Sequence, residues 1–248
     1  MDKKQFYTIL MENLPVDAEV VEIVHGISWT AARLSNGNVG VAMHTAGDTA
    51  PRLFESLQGL KVQKAAQAVL SWNFEEANEG MAVINACYNT EENMMILDSC
   101  APESCQGAMD GFDLKNKTVG FIGHFMGKHS GITEECMREA KAYYTMEREP
   151  KEGDLPDPAC EYILPMCDLV VITGSASMNK TMPRLLELSQ HAEVILTGPS
   201  VPMCKEIIKL GINRLYGNVI VKPEELCKSI VEERGSINKF SKRFLIDC

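Results

Sequence analysis

From residue 117 onward the chain alternates between short runs of Val, Ile and Leu and stretches of helical periodicity, and this alternation most constrains the fold. The apolar runs are TVGFIGHF (118–125), AYYTMERE (142–149), DLVVITGSA (168–176), AEVILTGPS (192–200) and RLYGNVIV (214–221). Helical stretches are expected near 131–142, 179–190, 202–211 and 223–233. Continuous apolar strands separated by helices imply a parallel sheet covered on both faces. The expectation is a doubly wound, Rossmann-like domain.

The first hundred residues follow another grammar. Phe6, Ile9, Leu10 and Leu14 recur at spacings of three and four, giving an N-terminal helix over 3–14 that ends before Pro15. Asn36-Gly37 sits between EVVEIVHGISWTAARLS and NVGVAMHT, a strong hairpin-turn signal. RLFESL, KVQKAAQAVLS and FEEANEGMAVINACYN then read as helices. Helix, hairpin and helices make a small α+β unit. Residues 100–116 combine Pro, Gly, Ser and Asp without period and read as an exposed linker. Two units are expected, 1–100 and 101–248. Charge supports the division. Residues 1–110 hold 6 basic and 15 acidic residues, or −9; the remainder hold 18 and 19, or −1.

A net charge of −10 lacks the basic footprint that phosphate backbones require, so nucleic acid is an unsuitable partner. No apolar run approaches the roughly 18 residues of a bilayer span, and the first residues lack the apolar core of a secretory signal. Nine scattered cysteines without a Cys-x-x-Cys pair suggest reduced thiols and a cytoplasmic chain. The same absence argues against a structural metal; Cys100, Cys105, His124 and His129 are the only loose candidates.

In parallel sheets ligands sit beyond the carboxyl ends of the strands. There, Gly123-His124-Phe125 departs from a dinucleotide fingerprint because Phe125 stands where a second glycine is needed. No cofactor is therefore assigned. Glu147 and Asp154 follow the second strand. Asn179 and Thr181 follow the third, and Gly198, Pro199 and Ser200 the fourth. These small polar groups suit a polar ligand, or serve simply as helix caps. Trp29, Thr30, His44, Glu79 and Asn85 are candidates from the first unit. Glu79 and Asn85 share a helix face only if the helix breaks at Gly80.

GISWTAARL, EGMAVINA, VGFIGHF, VVITGSASMNKTMPRLLEL, VILTGPSVPM and LGINRLYGN occur in one order. Together they resemble a family of heavy-metal chelation proteins, over residues 1 to about 234. That resemblance implies an enolase N-terminal-like α+β domain followed by a Rossmann-like domain. It also implies a cleft between them that handles flavin-, pterin- or siderophore-like molecules. The matched positions are Trp29, Thr30, Glu79, Asn85, Gly123, Asn179, Thr181, Gly198, Pro199 and Ser200; His124 departs from the apolar residue expected there. The expected function is an enzyme acting on a small polar heterocycle by condensation or hydrolysis. Glu79 or Asp154 would be the acid/base, with Asn179, Thr181 and Ser200 orienting the ligand. The alternatives are a non-catalytic binder of a metal–chelate complex and a methyltransferase. A homo-oligomer is compatible with either.

Overall fold

The computed structural model describes residues 5–45, 50–97, 107–125, 132–232 and 236–247. Helix α1 (Gln5–Glu12) precedes three antiparallel strands, β1 (Val20–His25), β2 (Trp29–Leu34) and β3 (Val39–Met43). The Asn36-Gly37 turn joins β2 to β3, with Gly37 at φ +89°, a value that glycine reaches without steric cost. Helices α2 (Val62–Ala65), α3 (Phe74–Tyr88) and α4 (Glu91–Ile96) follow.

The second sheet contains β4 (Thr118–Ile122), β5 (Ala142–Glu147), the two-residue β6 (Leu155–Pro156), β7 (Leu169–Thr173), β8 (Glu193–Thr197), β9 (Arg214–Ile220) and β10 (Ser241–Asp247). Helices α5 (Cys160–Ile163), α6 (Met182–Leu188) and α7 (Pro223–Val231) lie between its strands. Its order is β10-β9-β8-β7-β4-β5-β6. Every pair is parallel except β9 with β10. The chain moves outward from β4 through β5 to β6, then returns to the other side at β7. This is the doubly wound order, and its switch point lies between β4 and β7. Among the described residues no helix is long and apolar enough to cross a membrane.

Helix α3 organises the first unit. The Asn73 side chain accepts from the Glu76 amide, and Glu75 and Glu76 complement the positive end of the helix. Nearly all of α3 is buried. Gly40 lets β3 touch it, because a Cβ there would lie 2.1 Å from the Ala86 nitrogen. Gly80 does not break the helix. It lets α3 approach the 66–70 turn, where a Cβ would lie 2.2 Å from the Val69 nitrogen. The three-stranded sheet has α3 on one face; α7 covers the other, where Leu226 and Ile230 pack on Val24, Ala31 and Val41. The Arg33 guanidinium grips the Glu224 carboxylate, adding an ion pair across the halves. A single hydrophobic cluster includes Phe6, Leu10 and Met81 from one half and Val170, Val201 and Met203 from the other.

Three expected helices take other forms. RLFESL is not helical: the Glu76 carboxylate accepts the Leu53 and Phe54 amides at 2.7 Å each, holding an irregular segment against α3. Over the described part of 131–142 there is only the tight turn Cys136–Glu139, where Thr133 Oγ1 accepts the Cys136 amide and β5 begins at Ala142. The 202–211 stretch is a 3₁₀ segment, Lys205–Leu210, stopped by Gly211 at φ +87°. Strand β10 was not anticipated from the sequence.

Candidate functional site

A cleft of about 540 Å³ lies over the carboxyl ends of β4, β5 and β7, at the switch point. Ile122, Met146 and Phe125 supply apolar lining, while Thr173, Ser175, Asn179 and Thr181 supply hydroxyl and amide groups. The first half closes one side with Met43, His44 and Thr45 from the end of β3. That segment is fixed across the halves, because the Met43 amide donates to Ser200 Oγ at 2.8 Å. Enclosure between two halves lowers water access and strengthens polar interactions with whatever binds.

His124 lines the cleft between two carboxylates. Its backbone amide donates to Glu147 Oε1 at 2.9 Å, which draws the turn after β4 against the end of β5. Its Nδ1 lies 3.1 Å from the same oxygen, and its Nε2 lies 2.5 Å from Asp154 Oδ2. Asp154 also accepts the Lys151 amide at 2.7 Å. That amide, together with the imidazole, holds the Asp154 carboxyl below the ordinary carboxylate range. Gly123, at φ +113°, allows the sharp exit from β4 that brings His124 over the second strand. The two carboxylates occupy opposite nitrogens of one ring, so the three side chains do not converge on a common point. Among the described residues no group of three His, Cys, Asp or Glu side chains is arranged to hold a metal ion. Cys100, Cys105 and His129 lie outside the described residues.

The loop after β7 forms the opposite wall. Thr173 caps a short turn by accepting the Ser175 amide. Asn179 Oδ1 accepts from the Thr181 amide at 3.1 Å and its hydroxyl at 2.7 Å, which leaves the side-chain Nδ2 of Asn179 for a ligand. Between them Lys180 adopts φ +67°, uncommon for a residue with a Cβ. Its Nζ donates to Met178 O at 2.8 Å and lies within 6 Å of the ring centres of Tyr7 and Phe74. Burial lowers the ammonium pKa to about 8. Helices α1 and α3 thereby pin the cleft's polar loop.

The candidates from the sequence fall into three places. Gly123, Asn179 and Thr181 line the cleft, and Asp154 braces its histidine. Ser200 anchors the Met43 wall, while Gly198 and Pro199 lie in the same turn, outside the lining. The rest belong to the first half. Trp29 pairs with Met43 and packs toward α7. Thr30 is buried, and Asn85 donates to Val41 O at 2.7 Å. Glu79 is buried beside His25 and Arg52, away from the lining. Burial alone would push its carboxyl up, but hydrogen bonds from His25 and Arg52 outweigh this and hold it low. His25 and Lys180 were not singled out in the sequence. Nothing in VVEIVH or SMNKT marks a histidine or lysine whose partners lie in other elements.

Residues 109–246 match the family DUF364 and residues 7–88 match DUF4213, both described as "Putative heavy-metal chelation". A DUF364-family protein of unknown function from Desulfitobacterium hafniense is 31% identical, with a TM-score of 0.85 over 99% of this chain and 98% of that one. A DUF364-family protein of unknown function from Pyrococcus horikoshii shares the fold, at 21% identity and a TM-score of 0.74 over the full length of both chains. An uncharacterized protein from Methanocaldococcus jannaschii is 27% identical over 161 residues, 61% of this chain and 57% of that protein's length.

Proposed function

The chain belongs to the DUF364 family, and from that premise we propose that its cleft binds a small polar heterocycle and performs acid–base chemistry on it. The reaction would be a condensation or hydrolysis on a chelator, pterin- or flavin-like molecule, linked to heavy-metal handling. The observation that carries this reading is the His124 ring held between Glu147 and Asp154 at the cleft wall. With both ring nitrogens held by carboxylates, the imidazole would exchange a proton with a ligand through Glu147, which lines the cleft, while Asp154 fixes the ring's orientation. Ile122, Met146 and Phe125 suit the face of a planar ring, and Asn179 and Ser175 suit its polar edge. The thiol-rich composition supports a cytoplasmic location, and a small molecule is the expected partner.

A second reading is a non-catalytic binder of a metal–chelate complex. Arg148 and Lys151 line the cleft and suit the anionic arms of a chelator. Mass spectrometry of small molecules released from the purified chain would identify the ligand. Calorimetry and turnover assays with that molecule then separate the readings. An enzyme should lose turnover in Asp154→Asn while retaining affinity within a few-fold. A binder should show no turnover in either form. If Asn179→Ala and Asp154→Asn both leave affinity and turnover unchanged, the cleft is not the site.

A further inference from the structure

The register at the outer edge of the large sheet brings two opposite charges to the cleft. Strand β6 pairs in parallel with β5, and its last rung joins Pro156 to Glu147. Neighbouring strands lie about 4.8 Å apart, so Arg148 and Asp157, the next residue on each chain, leave the sheet side by side. Both line the cleft. Their backbone is held in place. The Arg148 amide donates to Glu147 Oε2 at 3.2 Å, and Asp157 opens a short 3₁₀ turn directly after Pro156. Asp154 bonds both the Lys151 amide and His124, which closes the loop between the two strands.

The Arg148 and Asp157 side chains form no ion pair with each other or with another described side chain. Elsewhere the guanidinium groups of Arg33, Arg52, Arg184 and Arg214 all grip carboxylates. An exposed ion pair contributes little stability, so holding these two apart costs little, and each keeps its hydrogen-bonding capacity for a ligand. The other charges of the lining are placed differently. Glu147 bonds His124, and Lys151 acts on the nearby Asp154 carboxylate. Glu149 follows Arg148 and adds a second carboxylate to the rim. A polyanion would therefore meet Glu149 and Asp157, and a simple cation would meet Arg148. A group that carries both charges finds a partner for each.

We propose that this rim selects a zwitterion, the α-amino acid arm of a ligand whose ring occupies the rest of the cleft. Arg148 takes the carboxylate, because the guanidinium fork matches its two oxygens. Asp157, with Glu149 beside it, accepts from the ammonium. Ile122, Met146 and Phe125 supply the apolar surface for the ring. The proposal rests on the cleft reading and narrows its ligand class to a planar ring bearing an aminocarboxylate. Arg148 and Asp157 are specificity residues and take no part in proton transfer.

Three probes with one indole ring separate the two charges. L-tryptophan carries both, tryptamine only the ammonium, and indole-3-propionate only the carboxylate. A cleft of about 540 Å³ has room for each. Ligand-observed nuclear magnetic resonance titrations of the full chain give the dissociation constants. That of L-tryptophan should be roughly three- to tenfold below the other two. Arg148→Gln should weaken L-tryptophan to the level of tryptamine without weakening tryptamine. Asp157→Asn combined with Glu149→Gln should weaken it to the level of indole-3-propionate without weakening that acid. Arg148→Lys should keep the preference for L-tryptophan over tryptamine. General loosening of the loop would weaken all three probes alike, so only charge recognition gives the crossed pattern. Equal affinity for the three probes, no binding of L-tryptophan at millimolar concentration, or parallel losses in the variants would overturn the proposal. Asn179→Ala separates this failure from that of the cleft reading. Probes of equal affinity that all weaken in Asn179→Ala would leave the cleft as the ring's site and remove only the rim's selectivity. Probes that bind Asn179→Ala as they bind wild type would sink both.

Discussion

Asn89 accepts a hydrogen bond from the Met203 backbone amide at 2.9 Å, across the joint between the two halves. Its amide nitrogen donates to Val201 O at 2.9 Å and Asn218 O at 3.1 Å, so one buried side chain satisfies three backbone groups of the other half. Its place is set by the end of α3, whose last turn bonds the Asn89 amide to Asn85 O. This junction, with the shared core, explains how a cleft built from both halves keeps its shape.

Asn89→Ala should therefore cost about 2–4 kcal/mol, because it strands buried donors and acceptors as well as losing their bonds. Asn89→Asp should be at least as damaging, since it turns a carboxylate oxygen toward two carbonyls. Urea unfolding followed by fluorescence and circular dichroism checks both. The midpoint should fall, and the two probes should separate if the halves come apart before either unfolds.

The two glycines of the β3 hairpin should respond differently to alanine. At Gly40 the new Cβ would meet α3 backbone atoms at 2.1 and 2.3 Å. The helix must move, and a loss of about 3 kcal/mol or more is expected. At Gly37 the space is open and only the positive φ resists, so about 1 kcal/mol is expected. Thermal melts of the two variants should preserve that order.

Much of this architecture was legible because burial leaves a period in the sequence. The runs LVVIT and EVILT name strands buried on both faces, and Asn36-Gly37 names its turn. What was missed depends on contacts between distant segments. Glu76 strips two amides from a would-be helix at 52–57, and β10 is an edge strand whose SKRFLID alternates too weakly to read alone. The site followed the same rule. The strand-end principle singled out Asn179, Thr181 and Gly123, which line the candidate cleft, whereas the bracing of His124 by residues 23 and 30 positions away needed the β4–β5 register.

Lys180 predicts a pH signature. Its folded pKa of about 8 lies below the ordinary 10.5. Between those values the unfolded chain holds more protons, so this residue's contribution makes stability rise with pH. The penalty of burying the ammonium is present in full below pH 8 and relieved by pH 10.5. At 1.36 kcal/mol per pKa unit the relief is on the order of 3 kcal/mol at most. Unfolding free energies of wild type and Lys180→Met, measured from pH 7 to 10.5, should give a difference that changes through this window. Parallel curves would show that the ammonium is not held as the geometry indicates.

Ser200→Ala and Asn179→Ala test whether the cleft loops hold structure or ligand. Ser200 Oγ is the acceptor for the Met43 amide, and its own position is buried. Removing it leaves a main-chain donor of the cleft wall unpaired, at a cost of about 1–3 kcal/mol. Ligand affinity should weaken only through displacement of Met43, so the melting temperature should fall more clearly than affinity. Asn179 lines the cleft and is part of a local turn, with Oδ1 committed to Thr181 and its side-chain Nδ2 left to donate. Loss of that turn should cost about 1 kcal/mol, while a lost ligand hydrogen bond should weaken binding by roughly five- to tenfold. Calorimetric titration with the co-purifying molecule and a thermal melt on each variant supply both quantities. The expected pattern is a stability loss led by Ser200→Ala and an affinity loss led by Asn179→Ala. The reverse pattern would move the ligand toward β8 and make the loop after β7 a structural turn.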